Sequence, residues 1–254
     1  MVTSTLSLKV RYYRALPIDK PGLETVGLDI EVGRTALVGM HGWNIGCPDG
    51  PPIDKHFCVG LGWPQSTIEA GRIMTEIMRP AMDRARSVNL SVCHVETDWM
   101  DAQYPGIVSR RKTYVEPERT DQEQAMLDRA HGTNYMKDSP LAHMRRAEII
   151  APKDDEQIFF YSDVLDKYLR DRDIDTLIYM GFATDMCILN AEGGARPMLA
   201  KGYRCILMRD ATVGVETPES FPHRLATRYA THLFEWSVGY STTSVDFAAA
   251  LTTP

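Results

Sequence analysis

The chain has 254 residues, 44% hydrophobic and 24% charged, and a formal net charge of −6. That length holds one α/β domain with a sizeable core, and the acidic balance argues against nucleic acid or an anionic membrane as main partner. The five cysteines form no C-x-x-C pair and suggest neither a zinc ribbon nor a disulfide framework; residues 1–17 lack a signal-peptide core and no apolar run reaches membrane length, so reduced thiols in the cytoplasm are expected.

Residues 1–34 read as an N-terminal extension packed on the domain, with the alternating segment 6–12 a candidate edge strand. Short apolar runs predict strands at 35–40, 90–95, 147–151, 176–182, 203–208 and 240–244. Between the first two lies a loop dense in Gly and Pro, 45–64, then Ser66 and Glu69 at capping-box spacing. They predict a helix to about residue 86 with Ile73, Ile77, Met78, Ala81 and Met82 inward. Residues 97–146 are the least regular and read as an insertion over one end of the sheet, with a short helix near 121–130. Later helices start at Ser162 as N-cap, at Cys187, and near Pro222. Strands alternating with helices predict one α/β domain over 35–254. Its doubly wound, mostly parallel six-stranded sheet would carry helices on both faces, a Rossmann-like three-layer arrangement.

In such a sheet, sites form beyond the carboxyl ends of the strands. By these assignments His41 follows the strand at 35–40, Lys153 the strand at 147–151, and Cys187 opens the helix after 176–182. A base, a cation and a thiol at one rim make a nucleophile site. A helix start also favours thiolate, lowering a cysteine pKa below its free value of about 8.5. The plainer reading of Cys187 is a small core residue.

The string Gly181-Phe-Ala-Thr-Asp-Met-Cys187 resembles the G-[VF]-A-T-D-x-C motif of the isochorismatase-like cysteine hydrolases. These include nicotinamidases, N-carbamoylsarcosine amidases, ureidoacrylate and biuret hydrolases, and isochorismatase itself. The resemblance spans about 35–244 and is strongest over 160–215, where residues 160–169, Gly202-Tyr203 and Asp210-Ala211 also match. It implies Cys187 as nucleophile, Lys153 as the cation beside it, and a cis peptide before Ala183. An oxyanion hole from the N–H groups of Ala183 and Cys187 follows from the same resemblance. The implied activity is hydrolysis of a C–N bond in a small amide, ureido or carbamoyl compound through a thioester, in a homo-oligomer.

The chain departs from the family where the third member, an acid, would follow the first strand: His41 stands there. Two readings stay open. His41 replaces the carboxylate as general base, or the site is degenerate and the chain binds a small molecule or a partner. The nicotinamidase string D-W-H-P-x-x-H has a counterpart, Asp98-Trp-Met-Asp101, without the histidines. No metal or other cofactor is therefore expected. Trp43, Trp99, Phe160 and Tyr161 are candidates to line an apolar pocket, or else are core.

Overall fold

Strands that are apolar along their whole length cannot face water on either side, so they collect at the centre of the fold. A computed structural model of the chain describes residues 5–55, 61–97, 100 and 118–252. Its centre is six parallel strands, β3 (Thr35–Met40), β4 (Ser91–Val95), β5 (Ile158–Phe159), β6 (Thr176–Phe182), β7 (Arg204–Val213) and β8 (Tyr240–Thr242). Every residue of β3 and β6 is buried.

The expected six parallel strands are there, but the third lies elsewhere. Residues Glu148–Ile150 form a single 3₁₀ turn, and the edge position is taken by the two-residue β5. The sheet also has eight strands rather than six. Residues 1–34 supply β1 (Thr5–Arg14) and β2 (Gly22–Glu31), an antiparallel hairpin. β1 alternates cleanly, with Leu6, Leu8 and Val10 buried. It pairs antiparallel with β8 through Arg11 and Ser241, which gives the order β2-β1-β8-β7-β6-β3-β4-β5. From β3 the chain winds outward through β4 and β5, then returns to the other side of β3 for β6, β7 and β8. The switch point therefore lies between β3 and β6.

Helices cover both faces. On one side α1 (Pro64–Ile73), α2 (Arg79–Ser87) and α9 (Ser244–Thr252) bury Ile73, Met82 and Phe247 against Leu37, Ile178 and Ile206. On the other, α5 (Ser162–Arg170), α7 (Ala195–Ala200) and α8 (Leu225–Ser237) bury Leu165, Met198 and Phe234 against Val38, Tyr179 and Leu207. The expected helix after residue 66 begins earlier and is interrupted. Pro64 occupies its first turn, so Ser66 lies inside the helix, buried, and the capping box does not form. A π turn, Met74–Met78, separates α1 from α2. Pro80 explains it: the ring has no N–H to give and crowds the carbonyl four residues back. Within 118–146 the chain forms α3 (Asp121–His131), capped by Thr120 and Glu123, and the single turn α4 (Tyr135–Asp138).

Candidate active site

The switch point places His41 and Cys187 at one rim. β3 ends at Met40, paired with Gly181 on one side and Val95 on the other. Gly181 has φ +116°, and a Cβ there would meet the Met40 carbonyl oxygen at 1.9 Å. Glycine is what lets β6 pass β3 this closely before turning. The turn carries the one cis peptide bond not involving proline among the described residues, Phe182–Ala183. The Thr184 and Thr212 hydroxyls bond each other at 2.7 Å, and Asp185 accepts from the Val215 N–H at 2.9 Å, which ties the turn to the end of β7. Cys187 then opens α6 (Cys187–Asn190).

That helix is one turn long, so it offers the thiol little of the stabilisation expected of a helix start. The thiol pKa is raised rather than lowered. Burial is the main cause, the carboxylates of Asp185 and Glu96 add to it, and a backbone hydrogen bond from Ala183 acts the other way. Burial also raises the other described thiols, Cys47 to about 11 and Cys93 and Cys205 to about 12.

His41 sits in left-handed backbone, φ +47°, its N–H donating to the Val95 carbonyl at 2.9 Å. Its ring stacks on Trp43 at 5.6 Å, and Nδ1 is buried with no hydrogen-bond partner among the described residues. Burial, with Arg146 nearby, holds its pKa at about 3. The imidazole is therefore neutral across the physiological range. Beside it lies a cavity of about 20 Å³ lined by Trp43, Leu61, Thr67 and Phe182, among others. That is room for one water.

Lys153 is not brought to this rim. It precedes β5 instead of following a strand, because 147–151 is not a strand, and so it belongs to the opposite end of the parallel sheet. Its Nζ lies 2.9 Å from Asp83 of α2, and the side chain is half exposed. The cation near His41 is Arg146, the last residue of the irregular segment 97–146. Arg146 is buried. It donates to Glu96 through Nη1 at 2.5 Å, to the Ile150 carbonyl through Nε at 3.2 Å and to the Gly39 carbonyl through Nη2 at 3.2 Å. Glu96, also buried, follows β4 as His41 follows β3. It further accepts from Trp43 Nε1 at 3.1 Å and from the Gly42 backbone. Burial lifts its carboxyl above the ordinary range, against these donors.

Trp43 is half-buried and packs with the buried Phe160 and Tyr161 in a cluster that includes Ile45 and Met144. Those two rings are core beneath the rim. Trp99 and the string 98–101, except Met100, lie outside the described residues. Among the described residues no three His, Cys, Asp or Glu side chains are arranged to hold a metal ion, and no helix is long and apolar enough to cross a membrane.

A pH dependence follows from two buried imidazoles. His94, inside β4, bonds Glu156 at 2.8 Å and is held at about 4, chiefly by burial. For His41 and His94 the folded pKa lies below the unfolded value of about 6.5, so stability is complete above pH 6.5 and is lost as pH falls toward the folded values. By pH 5 each histidine costs about 2 kcal/mol. Glu156, held at about 2, keeps its charge throughout this window. Urea unfolding at pH 7 and pH 5 measures the loss. Burial raises the Glu96 and Asp185 carboxyls and so opposes this loss, which makes His94→Gln the control: a pH dependence unchanged in that variant would mean that the His94 ring is not held neutral.

Residues 55–239 match the family model of the isochorismatase domain, well over half of the chain. The chain belongs to the isochorismatase family. The turn holding His41 lies before the matched range. An isochorismatase family protein from Burkholderia thailandensis shares the fold, at 21% identity and a TM-score of 0.52, covering 87% of this chain and 97% of its own. A cysteine hydrolase from Pseudomonas syringae pv. phaseolicola is 20% identical over 87% of this chain and 94% of its own, with a TM-score of 0.49. The nicotinamidase PncA from Bacillus subtilis is 15% identical over 82% of this chain and 99% of its own, with a TM-score of 0.42. No curated protein matches the chain.

Proposed function

We propose that this isochorismatase-family chain is a cysteine hydrolase that cleaves a C–N bond in a small amide, ureido or carbamoyl compound. The observation that carries the reading is the Cys187 thiol at the switch point, hydrogen-bonded by the Ala183 backbone and within electrostatic reach of Glu96. Cys187 Sγ attacks the substrate carbonyl, and the N–H groups of Ala183 and Cys187 hold the oxyanion; each such donor contributes roughly 2.7–4 kcal/mol. The amine leaves with a proton, and water cleaves the thioester to release the acid. His41 with a pKa of about 3 is a weak acceptor for the thiol proton. Glu96, whose carboxyl is raised, suits the task better and replaces His41 in that role. Arg146 positions Glu96, and Lys153, the cation that the resemblance puts beside the thiol, is paired with Asp83 instead.

A second reading, a binding module without turnover, draws support from the raised Cys187 pKa and from Lys153 being engaged with Asp83. Two measurements separate the readings. A panel of amides, ureides and carbamoyl compounds is expected to yield one substrate from which ammonia or an amine is released. Iodoacetamide near neutral pH is expected to label Cys187 ahead of Cys47, Cys93 and Cys205. No release across the panel, with Cys187 left unlabelled, would turn the assignment to the binding module.

A further inference from the structure

A second cavity, of about 1020 Å³, opens between the hairpin, α1, the carboxyl half of β7 and α8. Five arginines line it, Arg11, Arg72, Arg209, Arg224 and Arg228, against three carboxylates, Glu69, Asp210 and Glu235. His223 and His232 are also there. Positive charge is thus gathered in one cleft of a chain whose formal net charge is −6.

The pairing inside the cleft is uneven. Arg72 and Arg224 share Glu69, and Arg11 holds Glu235 at 2.7 Å. Asp210 is turned to the start of α9, accepting from the Ser244 backbone and hydroxyl. That leaves Arg209 and Arg228. Arg209 is half-buried and donates to the Ser241 hydroxyl at 3.1 Å, and among the described residues neither arginine makes an ion pair. Burial and the neighbouring Arg11 disfavour the Arg209 charge, more than Glu235, Asp210 and Asp246 favour it, so a bound anion would offset the balance. Guanidinium groups offer paired N–H donors that match a phosphate group, and this is their common use in recognition. Tyr229, 67% exposed, and Leu225, 51% exposed, add an apolar wall at the mouth. The volume exceeds what an inorganic anion needs.

We propose that this cleft binds a phosphate-bearing small molecule, its phosphates held by Arg209 and Arg228 and its body resting against Tyr229. Neither His41 nor Cys187 lines this cleft, and the proposal does not rest on the hydrolase reading.

The test is calorimetric titration of the full chain with pyrophosphate and with ADP at 0.15 M salt. Both are expected to bind, and ADP more tightly through Tyr229. Arg209→Gln/Arg228→Gln is expected to weaken both by about tenfold or more. Arg228→Gln alone, an exposed change that leaves the fold intact, is expected to weaken pyrophosphate measurably. Cys187→Ala is expected to bind like the parent. Absence of heat with either probe at millimolar concentration, or equal affinity in the parent and the double variant, would overturn the proposal.

Discussion

Cys187→Ala is expected to lower hydrolysis by roughly 10⁴-fold or more while leaving the fold in place, because removal of a nucleophile leaves no thioester route. The structural cost is small. Cys187 is half-buried at the margin of its cluster, so loss of its sulfur removes less than about 1 kcal/mol of burial. The measurement is steady-state product release from whichever panel compound is turned over, paired with a thermal melt. Activity within tenfold of the parent would mean that water, and not the thiol, attacks the carbonyl.

Arg146→Ala is expected to cost about 3–5 kcal/mol, a large share of the stability of any single domain. Its guanidinium answers three acceptors at once: Glu96, the Gly39 carbonyl in β3 and the Ile150 carbonyl beyond the 3₁₀ turn. Deleting it leaves Glu96 buried with, among the described residues, Trp43 Nε1 and the Gly42 backbone as its remaining donors. Adding Glu96→Gln to Arg146→Ala is expected to recover part of the loss, since the uncompensated charge goes with it. Urea midpoints of the parent, the two single variants and the double variant close the cycle. A loss below about 1 kcal/mol for Arg146→Ala would show that Glu96 rests comfortably as the neutral acid.

The fold was legible where burial is two-sided. The strands 35–40 and 176–182 agree residue for residue with β3 and β6, because a central parallel strand is apolar throughout. The run 147–151 misled for the same reason. A brief apolar stretch fits a buried turn as well as a strand, and nothing in its length separates the two. The true edge strand, Ile158–Phe159, is too short to leave a pattern. β2 is mostly exposed and so carried no core signal.

Of the candidate site, the placing of Cys187 and His41 at one rim was legible, from the motif and from the end of the strand 35–40. Lys153 failed with the strand assigned before it. Glu96 was within reach of the same rule that found His41, since it directly follows the strand at 90–95. Arg146 was not, because nothing local in the sequence says which arginine of an irregular segment will be buried. That buried pair is visible only once the topology brings β3, β4 and the turn at 148–150 together.

The hairpin that completes the sheet has a consequence for the order of assembly. It pairs with β8, the last of the eight strands in chain order. Arg11 and Glu235, which clasp the hairpin to α8, are 224 positions apart. During translation β1 and β2 must therefore wait, with Leu6, Leu8 and Val10 uncovered, until the sheet they join has left the ribosome. The nascent chain carries an exposed apolar ribbon while the residues between β2 and β8 are made, and that interval is when a chaperone has most to shield.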